Sequence, residues 1–114
     1  MAAQNFLLTI SAGQTASTIV LALDNAPSIS VWIGAPAGLT ETVKLQTRRP
    51  WGPTPQPWYD QQTNNVDIVL TAGKALQVTV LSGVEWRLNA SVAVSADRSF
   101  DVVVDRIVGQ PGLP

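Results

Sequence analysis

The chain has 114 residues, a net charge of −1 and charged residues at only 13% of the total, with no histidine and no cysteine. A chain of this length encloses one core and forms one domain. The missing residue types exclude disulfides, imidazole or thiolate metal sites, cysteine nucleophiles and histidine acid–base catalysis. Soluble domains usually carry roughly 25% charged residues, so this composition favours a non-catalytic β-domain that covers part of its surface with other proteins.

Neither nucleic acid nor a membrane is an expected partner. The basic residues are dispersed apart from Arg48-Arg49, whereas nucleic-acid binders carry a basic stripe. The longest apolar stretch, Ile19 to Leu23, is far shorter than the ~20 residues of a membrane span. The first residues lack the charge and apolar run of a secretory signal, so we expect the protein to act without export of its own.

Alternating apolar and polar residues predict eight short strands. Their apolar faces are, in chain order, Phe6/Leu8/Ile10, Ile19/Leu21/Leu23, Ile29/Val31/Ile33, Val43/Leu45, Val66/Ile68/Leu70, Leu76/Val78/Val80, Trp86/Leu88/Ala90 and Phe100/Val102/Val104. Glycine- and asparagine-containing turns separate them. Eight strands at intervals of about ten residues predict an all-β fold, an antiparallel β-sandwich of the jelly-roll kind, with a small closed β-barrel as the alternative.

The middle residue of each alternating set is the best candidate for the core. A register slip of one residue would expose the whole set, so these positions are strongly specified. The residues predicted to point inward between two sheets are Leu45, Ile68, Val78, Leu88 and Val102.

Two kinds of segment break the strand pattern of the single domain predicted over residues 1–114. Residues 48–58 contain four prolines and two tryptophans, which predicts a stiff projecting loop because proline fixes φ and donates no ladder hydrogen bond. Residues 1–4 and 109–114 are predicted to be short terminal arms. An arm that runs along a neighbouring molecule would place Leu113 in an interface.

The search for catalytic chemistry finds no site. Gly34 to Gly38 lacks the lysine and the helix of a phosphate-binding loop. Asp101 and Asp105 share one strand face, but their spacing of roughly 13 Å along a strand is too wide for a carboxylate pair. We expect these aspartates to be solvated and to pair with Arg87 or Arg98. The sequence predicts no enzyme, no cofactor and no metal ion.

The segment from Arg48 to Tyr59 concentrates the residue types that dominate protein interfaces, namely arginine, tryptophan and tyrosine. The predicted interface residues are Arg48, Arg49, Trp51, Trp58, Tyr59 and Leu113. Two alternatives stay open. Trp58 and Trp51 could instead fold down onto an open end of the sandwich, or Trp51, Trp58 and Tyr59 could stack on sugars as aromatic platforms stack on bases.

Four segments carry a resemblance: Thr42–Thr47, Trp58-Tyr59-Asp60, Ser82–Leu88 and Ala96–Phe100. Over residues 5–108 they resemble, in type and order, the small β-sandwich decoration (cement) proteins of tailed-phage capsids. The chain departs from that family at the proline-rich loop, where the family's usual Asp-Gly turn is missing.

The resemblance implies a non-enzymatic virion protein, made in the host cytoplasm, that stabilises the capsid surface by binding the major capsid protein. Because a unit of this size attaches weakly, self-association or multivalent attachment is expected as well. Another tail- or fibre-associated β-module and a carbohydrate-binding module remain the alternative functions.

Overall fold

Antiparallel strands form the whole of the described fold. The computed structural model describes residues 4–21, 28–49 and 54–107, with the side chains of Arg106 and Ile107 excepted. The strands are β1 (Gln4–Ile10), β2 (Val20–Leu21), β3 (Ser28–Gly34), β4 (Val43–Arg48), β5 (Tyr59–Asp60), β6 (Gln62–Thr63), β7 (Val66–Asp67), β8 (Val69–Leu70), β9 (Ala75–Leu81), β10 (Glu85–Ala90) and β11 (Arg98–Ile107). Within these ranges there is no helix, and hence none long and apolar enough to cross a membrane.

The first layer is a four-stranded sheet in the order β1-β11-β3-β9. Strand β11 lies between β1 and β3, with Phe100 opposite Leu8 and Val102 opposite Ile33. Cross-strand partners point to the same side of a sheet, so these apolar residues form one continuous inner face. Strands β1 and β9 stand at the two ends of this order and are therefore the edge strands of the sheet.

The second layer is a five-stranded sheet in the order β2-β10-β4-β5, with β8 also paired to β4. Strands β5 and β8 lie one after the other along the same edge of β4, since Thr47 pairs with Tyr59 and Val43 pairs with Leu70. Between them the chain leaves the sheet as the small β6–β7 hairpin and returns. This hairpin is therefore an insertion into what would otherwise be one edge strand.

The core lies between the two sheets. Its largest fully buried side chains are those of Trp86 and Phe100. The described strands are antiparallel and none of their sheets closes into a barrel, which is consistent with the predicted sandwich and not with the barrel alternative. Four of the five predicted core residues are buried, and Val78 packs partly buried against them because β9 is an edge strand.

Three predictions about strands were wrong. The described residues form eleven strands rather than eight, because the β6–β7 hairpin divides residues 59–70 into four short ones. Val66 is exposed on that hairpin instead of lining the core with Ile68. Ile19 and Leu21 are 45% and 43% exposed, and the side chain between them, Val20, packs on the core.

The predicted terminal arms lie largely outside the described residues. Gln4 belongs to β1, where it pairs with Val104. Residues 1–3 and 108–114, including Leu113, are not among those described.

Candidate functional site

The outer face of the five-stranded sheet carries a cluster of charged and aromatic side chains. Leu88 of β10 pairs with Leu45 of β4, and both are buried. Because side chains alternate along a strand, the neighbouring residues point away from the core. On β4 these include Gln46 and Arg48, and on β10 they include Glu85 and Arg87.

Trp58 packs against this face. The guanidinium carbons of Arg48 and Arg87 lie 4.4 and 4.3 Å from the centroid of the Trp58 ring. Both distances are within the range of a cation–π contact. We call the group Gln46, Arg48, Trp58, Glu85 and Arg87 the arginine–tryptophan face.

Hydrogen bonds hold both arginines in place. Arg48 Nε donates to Glu85 Oε1 at 2.7 Å, which is also an ion pair. Arg87 Nε donates to Gln46 Oε1 at 2.9 Å, and Gln46 Nε2 donates in turn to Asp60 Oδ1 at 3.0 Å. The planar groups around Trp58 are therefore positioned before any partner arrives, which lowers the entropy lost on binding.

The two arginines differ in their charge balance. Glu85 neutralises Arg48, whereas no carboxylate of the described residues lies within ion-pair distance of Arg87. Burial lowers the pKa of Arg87, and the nearby charge of Arg48 lowers it further. Arginine stays protonated at neutral pH even so, and the face therefore presents an uncompensated positive charge beside an aromatic ring.

A second polar group flanks the face on the side of the β6–β7 hairpin. Lys44 Nζ lies 2.8 Å from Asp67 Oδ2 and 3.7 Å from Asp60 Oδ2. The bond to Asp67 raises the pKa of Lys44, and the same bond lowers the pKa of Asp67. A shallow pocket of about 180 Å³ between this pair and β10 is lined by Thr42, Lys44, Gln46, Asp60, Asn89 and Ser91.

The structure brings together only part of the predicted interface. Arg48 and Trp58 are in contact, and Arg49 is exposed, with Nη2 donating to Gln56 Oε1 at 2.8 Å across the base of the loop. Tyr59 is 65% exposed, but its pairing with Thr47 places it on the opposite side of the edge strand from Trp58. Trp51 and Leu113 lie outside the described residues.

Arg87 was not predicted as a member of this site, because we expected it or Arg98 to pair with Asp101 or Asp105. Arg98 instead pairs with Glu41 at 2.9 Å, and both aspartates are exposed on the other sheet. Glu85 and Arg87 alternate in the sequence with the buried residues of β10. This alternation could have indicated that both side chains point away from the core. The pairing of β10 with β4, which brings Arg87 to Trp58, is a long-range contact that the local pattern does not reveal.

The outer face of the four-stranded sheet is different in character. Trp32 and Leu7 are exposed there beside Val103 and Asp101, and they border an open pocket of about 390 Å³. The described residues contain no group of three histidine, cysteine, aspartate or glutamate side chains that could hold a metal ion.

Comparison of the chain with protein-family models, with curated proteins and with solved structures finds no match.

Proposed function

We propose that this chain is a non-enzymatic structural protein that binds a partner protein through the arginine–tryptophan face. The observation that carries this proposal is the contact of two hydrogen-bonded guanidiniums with the ring of Trp58. Tryptophan and arginine are the residues most enriched among those that dominate binding energy. Here both arginines lie on strands of the sheet, β4 and β10, and Trp58 packs against them.

The partner in this proposal is the major capsid protein of a tailed phage, with the protein attached to the capsid surface of the virion. The resemblance of four segments to capsid decoration proteins supports this choice. The low charge content also supports it, since a surface with few charges loses less hydration when a shell covers it. Because one small face gives modest affinity, attachment at many equivalent sites or self-association would supplement it.

A tail or fibre location would use the same face against a different virion protein. Sugar binding fits the described residues less well. The Trp58 ring already contacts two guanidiniums of its own chain, which leaves less aromatic surface for a sugar. Tyr59, the second predicted sugar platform, lies on the other side of the edge strand.

The experiment is cosedimentation. The chain is co-expressed with the proteins encoded by the genes next to its own, particles are isolated on a density gradient, and occupancy is measured by gel densitometry. The wild-type protein should travel with the particles. Trp58→Ala should weaken binding by about 2 kcal/mol per copy. This corresponds to a roughly thirtyfold larger dissociation constant and therefore to lower occupancy.

Trp32→Ala is the matched control, because it removes the same side chain from the outer face of the other sheet. It should leave occupancy unchanged. Thermal melting of both variants checks that each is folded. Equal occupancy of folded Trp58→Ala and wild type would remove the arginine–tryptophan face from the interface.

A further inference from the structure

Arg87 differs from the other half-buried cations of the described residues. Lys44, Arg48 and Arg98 each lie within 3 Å of a carboxylate oxygen. Arg87 is also half-buried, but the only hydrogen bond of its side chain to the described residues runs from Nε to the neutral amide oxygen of Gln46. Partly buried charges are normally paired, so this guanidinium has an unused capacity for an anion.

The terminal Nη groups of Arg87 remain available to bind an anion. Nε of Arg87 is occupied by Gln46, and the guanidinium stacks on Trp58. The two Nη groups make no hydrogen bond to the described residues. Two Nη groups in one plane form the end-on fork that binds both oxygens of a carboxylate.

The surroundings favour an anion at this position. Arg48 is close enough to lower the pKa of Arg87 by charge repulsion, and a carboxylate between or beside the two cations would relieve that repulsion. The attraction between this carboxylate and Arg87 would also be stronger than at an open surface, because the site is partly desolvated.

We propose that Arg87 is a carboxylate-binding site that receives an aspartate or glutamate side chain of the partner protein. The existence of that partner rests on the proposed function, whereas the carboxylate site itself stands on the geometry of Arg87.

A single carboxylate fits this face better than a nucleic-acid backbone does. Glu85, Asp60 and Asp67 lie on the same face and its flank. These acids would repel a run of phosphates, and the chain as a whole has a net charge of −1. One acidic side chain brings a single negative charge and would be repelled far less.

The first test uses the free protein with acetate as the probe. In NMR spectra, rising acetate should shift the Nε–H signal of Arg87 and the indole N–H signal of Trp58 in a saturable way. Chloride at the same ionic strength should not. Arg87→Gln should abolish the acetate response at Trp58, and Lys74→Gln, which removes an exposed charge outside the arginine–tryptophan face, should keep it. Equal responses to acetate and chloride, or an unchanged Trp58 response in Arg87→Gln, would overturn the site.

The second test uses particle cosedimentation and separates this inference from the proposed function. Arg87→Gln should weaken particle binding at least tenfold more than Lys74→Gln does, and Arg87→Lys should restore only part of it because lysine lacks the fork. If wild type binds particles and Arg87→Gln binds them as well as Lys74→Gln, the Arg87 site is wrong and the interface proposal stands. If acetate binds at Arg87 but the protein binds no particle, the carboxylate site stands and the proposed function is wrong.

A DNA duplex that shifts the Arg87 signals more strongly than acetate would overturn the choice of a protein carboxylate.

Discussion

Leu45 and Leu88 stand directly opposite each other on β4 and β10, and both side chains are completely buried. Their inward direction fixes the outward direction of Gln46 and Arg87, which pair one position away. The packing of the core and the geometry of the arginine–tryptophan face are thus two consequences of one strand register.

Leu88→Ala should lower the free energy of unfolding by about 2–5 kcal/mol, because it removes buried methyl groups and leaves a cavity. Chemical denaturation measures this loss. Leu81→Ala is the control, since Leu81 is 66% exposed and its truncation should change stability by less than about 0.5 kcal/mol. A loss below about 1 kcal/mol for Leu88→Ala would contradict the register.

Ser17→Ala should lower the free energy of unfolding by about 1–3 kcal/mol. Ser17 is the buried polar residue of the described core, and its Oγ accepts a hydrogen bond from the backbone N–H of Leu88 at 3.0 Å. The alanine variant leaves that buried donor without a partner. Ser91→Ala, at an exposed position, serves as the reference in the same denaturation series, and equal stability of the two variants would contradict the role of Ser17.

Stability should fall in acid partly through Glu41. The hydrogen bonds from Arg98 hold the pKa of Glu41 at about 2, below its usual value of 4.5. Since the folded pKa is the lower one, the stabilisation is complete above about pH 4.5 and is lost as the pH falls towards 2. The pair is well shielded, with side chains only 7% and 12% exposed.

Glu41→Gln should therefore melt at a lower temperature than wild type at neutral pH, and the gap should narrow between pH 4.5 and pH 2. Thermal melts across this range measure the gap. In an Arg98→Gln background the same substitution should produce a gap that depends much less on pH. A gap of constant size in the wild-type background would show that the Arg98 bond does not shift the titration of Glu41.

The β6–β7 hairpin tests local backbone chemistry. Asn64 and Asn65 have φ of 54° and 66°, the left-handed conformation that a two-residue turn of this type requires. Asn65→Ala should lower the free energy of unfolding by about 1 kcal/mol because alanine is strained there. Asn65→Gly should not destabilise, since glycine adopts positive φ without strain. An alanine variant as stable as the glycine variant would contradict the turn geometry.

Alternation in the sequence predicted the fold class and most of the inner face, because regular strands buried on one side leave a period of two. Ile29, Val31 and Ile33 are buried as expected, and so are Phe100 and Val102. The same pattern misassigned Ile19 and Leu21, since β2 lies at an edge and pairs, among the described strands, with β10 alone. The burial of Val20 against the core sets the register of β2. The alternation of apolar residues in the sequence does not reveal this register.

The site was less predictable than the fold. The composition of residues 48–59 pointed to Arg48 and Trp58, which are in contact. The sequence placed Tyr59 with them, but one step along a strand turns a side chain to the other face. Arg87 lies 29 positions beyond Trp58 in the sequence and reaches it only through the β4–β10 pairing, so its role follows from topology rather than from any local motif.

The most direct measurement of the central proposal is a cryo-electron microscopy map of particles that carry the protein. The proposal predicts that the outer face of the five-stranded sheet rests on the shell, with Trp58 buried in the contact and a partner carboxylate within hydrogen-bond distance of the Nη atoms of Arg87. A map in which Trp32 and the four-stranded sheet face the shell, while Trp58 and Arg87 face solvent, would contradict it.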